Sequence, residues 1–197
     1  MKLYYAPGAC SLADHIALLD VGQAFEAEAV DIRTKRTASG VDFREIAPKG
    51  YVPALVLEDG QTITENIAVL DWIADQHPVL RPKGPLGRTR LIEMLAFIST
   101  EIHRAFKPMW HGGGELEKQQ ARETAADLFR FVAGQMRGDY LFGAELSAAD
   151  CYLFVMLRWA ERFGVEAPQA LLALQRRMEA RPSVRAALQQ EGLVAHA

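Results

Sequence analysis

The apolar positions change rhythm once along the chain. Up to about residue 80, short apolar runs alternate with helical patterns; beyond it only helical spacing remains. Lys2 to Tyr5 reads as a strand that breaks at Pro7-Gly8. Leu12, Ile16 and Leu19 then share one helical face, and Gly22 stops that helix. Phe25 to Ile32 reads as a second strand, with Phe25, Ala27 and Ala29 on one face and Val30 and Ile32 near its end. Strand, helix and strand in this order predict a parallel pair joined by a right-handed crossover. Arg33 to Gly40 is basic, then small and polar, and reads as a loop.

Asp42 to Ala47 predicts a turn of helix, closed by Pro48-Lys49-Gly50. Val52 to Leu57 and Gln61 to Thr64 flank Glu58-Asp59-Gly60, the signal of a tight turn between strands. Thr64 or Glu65 then caps a helix in which Ile67, Leu70 and Ile73 or Ala74 share a face, ending near His77-Pro78. Residues 1–80 are therefore expected to form an α/β domain of order βαβ, short helix, ββα, with a mixed four-stranded sheet. Residues 81–87, with Pro82, Pro85 and two glycines, read as a linker. Residues 88–197 read as an all-helical domain. Its first run reaches from Arg88 to about Trp110, and a second follows Gly112-Gly113-Gly114 from Glu115 to Gly138. Ser147-Ala148-Ala149-Asp150 caps a third from Cys151 to Arg162; a fourth runs from Pro168 to Arg181, and Pro182 opens a short last one.

Composition narrows the function classes. Half of the 197 residues are apolar and 24% charged, ordinary for a globular protein. The net charge of −3 argues against nucleic acid as a partner. No window approaches the ~18 apolar residues of a membrane span, and Met1-Lys2-Leu3-Tyr4-Tyr5 has no signal-peptide core, so a cytoplasmic location without membrane contact is expected. Two cysteines, Cys10 and Cys151, are too few for a disulfide scaffold and suit a reducing compartment. Before residue 80 there are 6 basic and 12 acidic residues (−6), and after it 16 basic and 13 acidic (+3), a weak complementarity that suits domain or subunit packing.

Candidate chemistry concentrates at the first strand-to-helix corner. Ser11 and Asp14 form an S-x-x-D box ahead of Leu12, Ile16 and Leu19, which would place Cys10 one residue before a helix N-terminus. Free backbone N–H groups and the helix dipole there are expected to favour thiolate over thiol; the plain alternative is a small buried hydrophobe. Other signals fail. His111-Gly112-Gly113-Gly114 imitates an oxyanion loop, but no G-x-S-x-G elbow accompanies it. Cys10-Ser11-Leu12-Ala13 lacks the second thiol of a C-x-x-C pair, and Cys151 lies in an apolar helical run as a core residue. There is no phosphate loop, dinucleotide glycine pattern or metal-ligand cluster.

Several motifs in order, from Lys2-Leu-Tyr-Tyr-Ala-Pro-Gly-Ala-Cys10-Ser-Leu through Pro48-Lys-Gly-Tyr-Val-Pro53-Ala-Leu, Thr64-Glu65-Asn66 and Thr100-Glu-Ile-His103 to Ser147-Ala-Ala-Asp150, resemble the bacterial beta-class glutathione transferases over essentially the whole chain. The resemblance implies a thioredoxin-like first domain and a dimer that binds glutathione as a co-substrate rather than a cofactor. It implies a cis Val52-Pro53 bond that leaves the Val52 backbone open to glutathione, further contacts from Ala9 and Tyr51, and Lys35 at the glycyl carboxylate. Glu65 and Asn66 would hold the γ-glutamyl group, the acid pairing with its ammonium and backbone N–H binding its carboxylate. Asn66 departs from the serine or glycine common there. His103 resembles the histidine that meets the sulfur, as proton acceptor or as imidazolium; Glu101 and Arg104 would reach the other subunit's glutathione. Tyr5 is a secondary candidate for a hydrogen bond to the thiolate. Phe106, Met109 and Trp110 would line an apolar pocket for an electrophile. Two reactions stay open: conjugation of glutathione to that electrophile, and thiol exchange through a Cys10 mixed disulfide. The rival of a different class is a non-catalytic, partner-binding protein of the same fold.

Overall fold

In the computed structural model, which describes residues 1–193, β1 (Lys2–Tyr5) lies at the centre of a five-stranded sheet of order β3-β2-β1-β4-β5. β1 pairs in parallel with β2 (Glu26–Asp31), Lys2 opposite Glu26 and Tyr5 opposite Ala29, and α1 (Leu12–Asp20) makes the crossover. β4 (Ala54–Val56) runs antiparallel to β1, and β5 (Thr62–Thr64) returns antiparallel to β4. Tyr4, Val30, Phe43, Ala47 and Ala54 form a core cluster on this sheet. The thioredoxin-like architecture is as expected, but the sheet has five strands where four were expected. The additional strand, β3 (Arg36–Thr37), lies inside the presumed loop and pairs antiparallel with Val30 and Asp31. Its cause is local: the Asp31 carboxylate accepts the N–H groups of Arg33 and Thr34 at 2.8 and 3.1 Å, and Lys35 takes a left-handed φ of 59°, which folds the chain back on itself.

The chain forms two compact units. Among the described residues, one comprises Met1–Pro78 with residues 180–193, the other Val79–Glu179. The last helix, α8 (Pro182–Gln190), expected within the helical domain, therefore belongs to the first unit, where it packs on α1. Side-chain chemistry explains the docking. Arg181 donates to Asp20 at 2.8 and 3.0 Å, Ser183 Oγ donates to the same carboxylate at 2.6 Å, and Val184, Ala187 and Leu188 are buried.

The second unit holds α3 (Gly87–Phe97), α4 (Lys107–Trp110), α5 (Glu115–Gln135), α6 (Ala148–Phe163) and α7 (Gln169–Glu179). The single helix expected from Arg88 to Trp110 is interrupted: residues Ile98–His103 are wound as a wider π-helix. Thr100 Oγ1 donates to the carbonyl of Ala96 at 3.0 Å, a bond that competes with the backbone ladder at that turn. The predicted cap of α6 stands as read. Asp150 Oδ2 accepts from the Ser147 N–H at 2.8 Å and its hydroxyl at 2.6 Å, while Oδ1 accepts the Leu141 N–H at 2.8 Å. No helix among the described residues is long and apolar enough to cross a membrane.

Candidate active site

In the first unit a connected set of contacts joins four loops. The chain leaves β1 at Tyr5 and turns tightly, with the Ala9 N–H bonded to the Ala6 carbonyl and those of Leu12 and Ala13 to Ala9 and Cys10, all at 3.0 Å. Helical winding therefore begins before Ser11, whose φ and ψ are already helical at −58° and −17°. Ser11 stands at the expected N-cap position of α1 but makes no side-chain cap bond; its hydroxyl instead accepts the N–H of Ala6 at 3.2 Å and closes the loop.

Cys10 Sγ donates to the Val52 carbonyl at 3.8 Å. Val52-Pro53 is cis, and Val52 precedes the ladder, which starts at Ala54. The expected preference for thiolate is opposed by the surroundings of the sulfur. Burial pushes the Cys10 thiol up to about 12, the Asp14 carboxyl adds to the rise, and the N–H groups of Ser11 and of Cys10 itself offset only part of it. A helix-end dipole is a weak force beside desolvation.

Glu65 stands at the start of α2 (Asn66–Gln76) with φ 74°, a left-handed value unusual for a residue with a side chain. Its carboxylate pairs with Lys49 at 2.5 Å on the surface. Asn66 is buried and turned inward: with its amide nitrogen facing the two acceptors, it donates to Asp14 Oδ2 at 2.6 Å and to the Cys10 carbonyl at 3.1 Å. Its side chain is thereby committed within the protein, leaving its backbone N–H as the group at the helix end. Lys35 donates to the Gly50 carbonyl at 2.8 Å and lies over the exposed Tyr51 ring at 4.9 Å. Tyr5 points elsewhere. Its hydroxyl donates to the Gln190 carbonyl at 3.4 Å and its titration is raised by burial and by Glu191.

Sequence reasoning missed Glu191. One of its carboxylate oxygens accepts the Gly8 N–H at 2.9 Å, in the loop carrying Cys10, and the other meets His15 Nδ1 at 2.9 Å; His15 Nε2 meets the Gln190 side chain at 2.7 Å. Nothing local in the sequence connects residues this far apart. A buried histidine beside an apolar helical face was the available signal, since such a ring needs partners.

In the second unit His103 ends the π-helical segment. Its Nδ1 lies 2.7 Å from the Tyr152 hydroxyl, and its ring stands edge-on to Trp159 at 4.8 Å between centroids. Burial lowers its titration, so the neutral ring is favoured. Tyr152 is a partner that the sequence patterns did not single out; a buried phenol carries a hydroxyl that seeks one. Phe106 is fully buried among Phe129, Trp159 and Phe163, and so is core rather than an open pocket wall. Met109 is nearly buried, whereas Trp110 is 37% exposed and carries the Arg162 guanidinium 4.7 Å above its ring. Glu101 and Arg104 are exposed. Cavities of about 260 Å³ beside Arg81 and Lys83 and about 330 Å³ beside Leu157 and Gln175 contain none of these residues. Among the described residues no cluster of three His, Cys, Asp or Glu could hold a metal ion.

Comparison with known proteins now bears on this arrangement. Residues 9–76 match the glutathione S-transferase N-terminal domain and residues 93–182 the glutathione S-transferase C-terminal domain. Glutathione S-transferase GstA of Escherichia coli O157:H7 is 38% identical over 98% of this chain and 100% of its own length. The chain belongs to the glutathione S-transferase family. A bacterial beta class glutathione S-transferase from Sphingomonas chungbukensis superposes with a TM-score of 0.92 at 44% identity, covering 98% of this chain and all of that one. A sphingomonad glutathione S-transferase complexed with glutathione superposes with a TM-score of 0.91 at 43% identity, with the same coverage. The resemblance read from the motifs thus holds over the whole fold, and the rival of a non-catalytic partner-binding protein falls away.

Proposed function

We propose that this glutathione transferase binds its co-substrate along Ala9, Tyr51, Val52, Glu65 and Asn66, with the glutathione sulfur beside Cys10. The observation that carries the reading is the Cys10 thiol facing the Val52 carbonyl while Asn66 ties the start of α2 to the Cys10 backbone. Val52 then offers its backbone to the cysteinyl part of the tripeptide, Glu65 takes its ammonium from Lys49, and the backbone N–H of Asn66 meets its α-carboxylate. Lys35 reaches the glycyl carboxylate by leaving Gly50. Glu101 and Arg104 are the residues through which a partner subunit would touch glutathione.

Conjugation is the favoured chemistry. The glutathione thiol gives up its proton, the thiolate attacks an apolar electrophile, and the leaving group departs with the bonding electrons. Cys10, held as a thiol, donates a hydrogen bond to that sulfur, and His103 serves as the acid–base group. Exchange through a Cys10 mixed disulfide requires the Cys10 thiolate, which its surroundings oppose. Met109 and Trp110 contact the electrophile, whose disposal is a detoxifying reaction in the cytoplasm. Exposed Ile92 and Phe131, the latter paired with Phe97 at 5.2 Å, support a homodimer through α3 and α5.

Calorimetry with glutathione and assays with an aryl halide and a mixed disulfide test the reading on Cys10→Ala and His103→Ala. Glutathione affinity should survive both. Conjugation should fall in His103→Ala, and disulfide exchange should vanish in Cys10→Ala. No detectable binding at millimolar glutathione would sink the proposal.

A further inference from the structure

Trp110, partly exposed at the end of α4, has surroundings more specific than those of an ordinary apolar wall residue. Its ring meets Trp159 at 5.2 Å and Phe163 at 4.8 Å, both edge-on, and Trp159 in turn stands edge-on to His103 at 4.8 Å. A single indole therefore separates the accessible ring from the candidate acid–base group. The Arg162 guanidinium lies 4.7 Å above the Trp110 ring and 5.7 Å from that of Phe163.

A guanidinium held over an aromatic ring is attracted by the ring's electrons and keeps its N–H donors, a planar fork that matches a carboxylate. Those donors are unused. Among the described residues the Arg162 side chain makes neither a hydrogen bond nor an ion pair. Glu161, the acid beside it, faces α7 instead, where its carboxylate accepts the Gln175 amide at 3.4 Å. One turn back on α6, Arg158 lies 5.9 Å from the Phe154 ring and likewise has no ion pair among the described residues. Like charges one helical turn apart repel, and an anion bound at this face would relieve the repulsion.

We propose that Arg162, held over Trp110, is a specificity-determining residue of this transferase, and that its electrophile is an aromatic or unsaturated compound bearing a carboxylate. The apolar body of the substrate rests on Met109 and Trp110 while the carboxylate pairs with the guanidinium. The inference rests on the placement of the electrophile at Met109 and Trp110 proposed above. With an aryl halide the glutathione thiol loses its proton, the carbon–sulfur bond forms, and the halide departs with the electrons of the carbon–halogen bond. Arg162 takes no part in these changes; it binds the far end of the substrate.

The test compares a chloronitrobenzoate with the chloronitrobenzamide of the same substitution pattern, two electrophiles of nearly one shape that differ in charge. Each rate in the full-length protein is divided by that of the uncatalysed reaction with glutathione. The corrected kcat/KM of the wild type should favour the benzoate by about tenfold, the effect of one charged hydrogen bond, with the difference in KM rather than kcat. In Arg162→Gln the ratio should fall to about one, and in Arg162→Lys, which keeps the charge without the fork, it should lie between. Calorimetry with the two glutathione conjugates reads the same preference without turnover. A wild-type ratio near unity, or a ratio that Arg162→Gln leaves unmoved, overturns the inference; a variant that slows both substrates alike shows a merely structural role and overturns it too. The failures separate. If the amide is conjugated and the benzoate gains nothing, only the assignment of Arg162 is lost. If glutathione binds but neither conjugate binds more tightly than glutathione itself, the electrophile does not sit at Trp110 and both readings fall. If glutathione does not bind, its own placement is wrong.

Discussion

His103 and Tyr152 meet at 2.7 Å, imidazole Nδ1 to phenol hydroxyl. The bond fixes the orientation of a ring that burial favours in its neutral form, and it leaves Nε2 as the nitrogen able to exchange a proton. Tyr152→Phe should cost about 1 kcal/mol of stability and, on the role proposed above for His103, lower kcat/KM for an aryl halide by up to about tenfold through misorientation of the ring. The KM for glutathione should hold. Steady-state kinetics beside a urea melt separate these effects.

Glu65 sets stability against binding. Its φ of 74° suits glycine better than glutamate, and its exposed pair with Lys49 contributes little. Glu65→Gly should leave the fold as stable or up to about 1 kcal/mol more stable, while weakening glutathione affinity about tenfold or more through the lost ion pair. Glu65→Gln should weaken affinity without the gain in stability. Calorimetry and thermal melts of the two variants give the comparison.

Asp150 gives the α6 cap a pH signature. Burial raises its carboxyl from 3.8 to about 6 despite bonds from Ser147 and Leu141. Between those values the folded chain holds a proton that the unfolded chain has released, so this group's contribution to stability falls as pH rises through that window and is level above it. Asp150→Asn should lose that slope. Asp150→Ala orphans three buried donors and should cost about 2–4 kcal/mol at neutral pH. Urea unfolding of wild type and both variants across that pH range reads each effect.

Gly87 opens α3 where the Pro82 carbonyl leaves no room for a Cβ. Gly87→Ala should destabilise the protein by about 1–3 kcal/mol through overpacking, against the usual gain from replacing glycine in a helix. A lowered urea midpoint with unchanged slope is the expected outcome.

The fold was largely legible because its elements carry strong local signals. The turn at Asp59-Gly60, the cap at Ser147 and Asp150, and the apolar stripe of α1 each name a structure through nearby residues. What escaped depends on contacts distant in sequence or on single-residue register. β3 is two residues long and exists because Asp31 and Lys35 turn the chain. The widened turn ending at His103 has no periodic signature in the sequence. At the site, Cys10 and Val52 could be placed together from motif order, but the protonation of Cys10 could not. That depends on how far the fold buries the sulfur, and the bond from Asn66 to Asp14 likewise joins residues that no local pattern connects.

The docking of Arg181, Gln190 and Glu191 onto α1 and the Cys10 loop has a consequence for how the molecule is made. The sheet and the reactive corner leave the ribosome before the helical unit, but the carboxylate that fastens Gly8 follows only after that unit has been synthesised. A nascent chain cannot complete this corner early. The helical unit is an insertion within a discontinuous first unit, so a fragment cut at Pro78 would contain Cys10 without the clasp that holds its loop.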